Sequence, residues 1–131
     1  MTVFEEITTK AVQYLQQGWE PAQAWSKAAD DVECAPSVRS KGCPRSAFVG
    51  LAQAGYIRGY QPQRVAASLS QNASYCVTGA RILADKPALG NNRFQLWNAI
   101  REQEGVDRQS QNGVVDVLLA LRRLDVYAPK L

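Results

Sequence analysis

The sequence predicts an all-α protein, a compact bundle of about six helices, and three observations carry that reading. Apolar residues recur at three- and four-residue steps along most of the chain. Helix start and stop signals fall between those stretches. No run alternates apolar and polar residues long enough to build a sheet. The chain has 131 residues, 46% of them hydrophobic and 21% charged, with a net charge of +3. That length and mixture suit one folded globular domain over 1–131 rather than a disordered chain.

Val3, Phe4, Ile7, Ala11, Tyr14 and Leu15 share one face of a first helix. Thr2 and Glu5 have capping-box spacing, and Gly18 stands where a helix ends in a left-handed residue. Pro21 suits the first turn of a second helix, whose stripe is Ala22, Trp25, Ala28, Ala29 and Val32. A loop is expected over 33–42. Pro44 then opens a third helix with Ala47, Phe48, Leu51 and Ala52, stopped at Gly55. The stretch 56–62 reads as a connection with Ile57 turned inward, and 64–69 as a helical turn. A fourth helix spans about 71–85, with Ala73, Cys76, Ala80 and Leu83 inward and Gly79 as its weak point. Asn92 caps a fifth helix, holding Phe94, Trp97 and Ile100 and stopping near Gly105. Ser110 or Asn112 starts a sixth, with Val114, Val117, Leu118 and Leu121 on one face.

The halves also align. A shift of seventy lays Ala47, Phe48, Leu51, Ala54 and Ile57 on Val117, Leu118, Leu121, Leu124 and Tyr127. Shifts of sixty-nine and seventy-two match Ala11 and Tyr14 with Ala80 and Leu83, and Trp25 and Ala28 with Trp97 and Ile100. A duplicated three-helix unit over 3–57 and 71–127 explains this. So does the freedom of any two amphipathic helices to slide into register.

Several function classes drop out early. With no histidine, Ser-His-Asp and Cys-His catalysis and most zinc sites with nitrogen ligands are excluded. Cys34, Cys43 and Cys76 form no C-x-x-C pair, and no Walker loop occurs, so neither a metal nor a cofactor is expected. No apolar run is long enough to span a membrane. The opening residues MTVFEEITTK carry acids where a signal peptide needs a basic region, so a cytoplasmic chain with reduced thiols is expected. Asp30, Asp31 and Glu33 read as a solvated helix end, Trp25 and Trp97 as core anchors, and Trp19 as a partly exposed contact.

The modest net charge hides a polarised chain. Residues 34–84 hold six basic residues, Arg39, Lys41, Arg45, Arg58, Arg64 and Arg81, and no acid. Such a block attracts an anion or an acidic partner, or is balanced by acids from the first two helices. Within it lies the most chemical stretch, Arg39-Ser40-Lys41-Gly42-Cys43-Pro44-Arg45-Ser46. With Pro44 as the first helical residue, Cys43 becomes the N-cap, where unpaired N–H groups and the helix dipole favour a thiolate. The same features describe an anion site, with Ser40, Lys41, Gly42, Cys43, Arg45 and Ser46 around the ligand. A small buried cysteine packed between helices is the structural alternative.

Lys41-Gly42-Cys43-Pro44, followed by Ala47-Phe48, Gly50-Leu51 and Gly55, resembles the core of a family of short bacterial proteins with no assigned function. The resemblance implies a small helical domain and carries over no catalytic residue, substrate or cofactor. The leading expectation is therefore a non-enzymatic binding module for a protein or a small anionic ligand. The alternative is a thiol-dependent enzyme or redox-responsive protein using Cys43. The third reading is a nucleic-acid binder through the basic segment 39–64, disfavoured by low total charge and few interleaved aromatics. Val115 and Leu119 lie off the main stripe of the sixth helix and point to a homodimer.

Overall fold

A computed structural model of the chain describes residues 1–128. The helices in order are α1 (Val3–Gln16), α2 (Pro21–Asp31), a short α3 (Pro36–Arg39), α4 (Gly42–Gln53), α5 (Gln71–Asp85), α6 (Arg93–Glu104) and α7 (Val114–Arg123), with a 3-10 turn at Pro87–Asn91. Among the described residues there is no strand, and no helix is long and apolar enough to cross a membrane.

Local signals place most of the boundaries. Thr2 accepts the Glu5 N–H at 3.2 Å, while the Glu5 carboxylate reaches back to the Thr2 backbone, completing the capping box. Pro21 is the first residue of α2, and Asn92 caps α6 by accepting the Gln95 N–H at 3.0 Å. Gly105 ends α6 with φ +73°. Four expectations fail. Part of the expected loop is the turn of helix α3, which opens on Pro36. Residues 64–69 form bends rather than a helical turn. The N-cap of α7 is Gly113, with φ +87°, not Ser110 or Asn112. Phe94, expected inside, is 72% exposed, because it sits on the outer side of the first turn of α6 while Leu96, Trp97 and Ile100 face the core.

The core forms around α7. Every residue from Val114 to Leu121 is buried, and the helix packs against α1, α4, α5 and α6. Val115 and Leu119 are thus covered by their own chain, which removes the motive for placing a second copy on them. The buried apolar side chains form one cluster, with Trp25 5.5 Å from Phe48 and Trp97 edge-on to Tyr75 at 5.1 Å between ring centres. The chain after α4 and the chain after α7 then meet. Ile57 and Tyr127 form an isolated antiparallel bridge, Arg58 N–H donates to the Val126 carbonyl at 2.7 Å, and Ala128 N–H donates to Tyr56 at 2.8 Å.

Candidate functional site

The Lys41–Ser46 turn differs in register from the expectation. The helix begins at Gly42, so Lys41 is the N-cap, Cys43 lies inside the first turn and Pro44 is third. Proline tolerates any first-turn position, since none of those N–H groups has an intrahelical partner. Cys43 is therefore not the capping residue. Its side chain is half-buried against the core, and Pro44 is fully buried. The Lys41 side chain makes no capping hydrogen bond to this helix start.

The polar residues of the turn do not converge. The Lys41 ammonium lies 6.0 Å from the centre of the Phe4 ring on α1. Arg45 is exposed and lines a shallow depression against α2 with Trp19, Ala22, Ser26 and Asp30. The Ser40 hydroxyl donates to the Pro36 carbonyl at 3.0 Å, and the Ser46 carbonyl accepts from Ser70 at 3.3 Å. Two of the six cations of the basic segment have acidic partners: Arg39 lies 3.6 Å from Asp30, and Arg58 4.0 Å from Asp125. Lys41, Arg45, Arg64 and Arg81 have none within 4 Å among the described residues. Of the other two acids read as a solvated helix end, Asp31 accepts from the Tyr14 hydroxyl and pairs with Lys27 at 3.2 Å, while Glu33 is exposed. The remaining cysteines are structural in setting. Cys34 is half-buried, and Cys76 is enclosed, its thiol donating to the Val114 carbonyl at 3.5 Å.

A second polar constellation was not legible in the sequence. The side chains of Glu5 and Asp116 are 3% and 7% exposed, yet both carry carboxylates. Arg93 joins them: its Nε donates to Asp116 at 2.5 Å and its Nη2 to Glu5. Arg123 donates to the other Glu5 oxygen at 2.5 Å. Burial pushes the Glu5 carboxyl up, but hydrogen bonds from Arg123 and the Thr2 backbone, with the charge and hydrogen bond of Arg93, hold it below its ordinary value. For Asp116 burial prevails over the Arg93 contact, the Glu5 charge adds to it, and the carboxyl is raised. The sequence presents Glu5 as a capping residue, which it is. Nothing local signals that residues 93, 116 and 123 gather around it, although an acid inside the apolar run of α7 was the available clue.

Both constellations lie within residues 1–128, the stretch matched by the model of a protein family described as a family of unknown function, DUF6979. The chain belongs to that family. Comparison with curated proteins and with solved structures gives no match. For this DUF6979 member the K-G-C-P turn and the buried ion cluster are thus described by their chemistry alone.

Proposed function

We propose that this protein is a small binding module without enzymatic activity, and that its partner presents an acidic group to the Lys41–Ser46 turn. The observation that carries the reading is the set of cations in the acid-free segment that have no carboxylate partner among the described residues, Lys41 and Arg45 first among them. A structural role for these charges would call for nearby acids, as Arg39 and Arg58 have. The uncapped start of α4 adds N–H donors on the same stretch of chain.

The test is a titration of the labelled protein with a glutamate-rich peptide, followed by backbone amide shifts. The expected result is a change centred on residues 40–46 that weakens steeply with salt and is lost in the double variant Lys41→Ala, Arg45→Ala. A uniform response, or one unaffected by those substitutions, overturns the reading. Two other outcomes select its alternatives. Loss of binding in Cys43→Ser with the cations intact favours the thiol. Salt-sensitive binding of a nucleic acid duplex through 39–64 favours the third reading.

A further inference from the structure

The buried ion cluster opens on a pocket of about 420 Å³ between the ends of three helices, lined by Glu5, Gly90, Arg93, Leu119, Arg122 and Arg123. The charges are layered. Glu5 lines the pocket and Asp116 lies outside its lining, the two carboxylates being 3% and 7% exposed, while the arginines that hold them are the more open layer, with Arg93 42% and Arg123 45% exposed. Each guanidinium carries five N–H donors. Arg93 uses one on each carboxylate and Arg123 one on Glu5, so these bonds leave most of their donors over, on two side chains that line the pocket.

Arg122 makes the difference between a structural cluster and a site. Two arginines already balance two acids, and Arg122 has no carboxylate within 4 Å among the described residues. Among the described residues its side chain makes one hydrogen bond, a long one of 3.5 Å to the Pro87 carbonyl. Across the pocket it lies against Gly90, where a Cβ would meet the flexible end of the Arg122 side chain. A third cation thus lines the pocket in a place where the ion cluster does not need one.

We propose that this pocket binds a phosphate group, with Arg93, Arg122 and Arg123 donating to its oxygens. Guanidinium forks match phosphate geometry, and the net positive charge left by three cations and two anions is what an anionic ligand neutralises. The two buried carboxylates fix the orientation of Arg93 and Arg123 before the ligand arrives, which lowers the ordering cost of binding. The pocket is of ligand size, and Leu119 gives it an apolar wall, so a phosphate monoester of a small organic molecule fits better than the free ion. The site is separate from the Lys41–Ser46 turn.

Thermal unfolding of the intact chain tests this, with inorganic phosphate or phenyl phosphate replacing chloride at constant ionic strength. At about ten times Kd the midpoint should rise by about 5 °C. Arg122→Ala should fold normally and bind at least about ten-fold more weakly, and Arg122→Lys, which keeps the charge but loses the fork, should also weaken binding. Lys10→Ala, a cation removed from a different depression, should leave the response unchanged. Tighter binding of phenyl phosphate identifies an ester as the ligand, and tighter binding of inorganic phosphate identifies the free ion. The absence of any midpoint shift with both, or an equal shift in Arg122→Ala, overturns the proposal.

Discussion

Glu5, Arg93 and Asp116 show how much depends on one side chain. Replacing Arg93 by alanine strands Asp116 without its cation and leaves Glu5 with Arg123 alone. Arg93 is 42% exposed, so water screens part of the loss, but Arg93→Ala should still lower the urea midpoint more than Arg123→Ala, after which Glu5 keeps Arg93. The two acids also predict a pH dependence with opposed signs. Glu5 has a folded pKa below its ordinary value, so it contributes stability above about pH 4.3 and loses it as pH falls through the folded value. Asp116 has a folded pKa above its ordinary value of about 3.9, so its protonation favours the folded state as pH falls through that raised value. Urea midpoints taken from pH 7 downward should therefore rise on the acid side before they collapse. Asp116→Asn should remove the rise and keep the collapse. A monotonic loss identical in both proteins would sink the assignment. Cys76 gives a simpler expectation. Burial pushes its thiol far above the ordinary cysteine range, so in native protein an alkylating reagent should modify Cys34 and Cys43 and reach Cys76 only after denaturant is added.

At the scale of the element, Gly79 is the instructive position. Helix propensity marks it as a defect in α5, worth about 1 kcal/mol relative to alanine. In the folded chain a Cβ there would lie 2.7 Å from a Leu118 methyl and 2.8 Å from an Ile100 methyl. Both of those side chains are completely buried, so they have little room to yield. Overpacking of this kind costs about 1–3 kcal/mol, which outweighs the gain in propensity. Gly79→Ala should therefore lower the melting temperature, and a rise would show that α5 and α7 can separate freely. The start of α4 teaches a related lesson. Proline signals the first turn of a helix but not which residue of that turn it occupies, and the two-residue difference takes Cys43 from the cap into the helix.

For the whole molecule, the closure between the two chain segments after α4 and α7 is the feature that holds distant parts together. Tyr127 is 3% exposed, its ring lies 5.9 Å from that of Tyr56, and its backbone bridges to Ile57. Tyr127→Ala should cost about 3 kcal/mol through the cavity it leaves, read as a shifted urea midpoint; a loss below about 1 kcal/mol would mean the closure is dispensable. The same segments bear on the halves. Tyr56 N–H donates to Leu51 at 2.9 Å and Val126 N–H to Leu121 at 3.1 Å, and Gly55 and Asp125 both have positive φ, at +85° and +56°. These pairs keep the offset of seventy. By itself the sequence determined the six main helices and some of their caps, Thr2, Asn92 and Gly105 among them. Their periodicity and their hydrogen-bonding signals are carried by residues three or four apart, and those survive in any fold. It also marked Ile57, Trp25 and Trp97 as inward. Only the tertiary structure decided that α7 is enclosed on all sides, that Phe94 faces outward, and that Glu5, Arg93, Asp116 and Arg123 meet. An apolar stripe shows that a face is covered without naming what covers it. The partners of Glu5 lie 88 and 118 residues along the chain, and electrostatic attraction at that separation becomes specific only when packing of the helices brings the charges together.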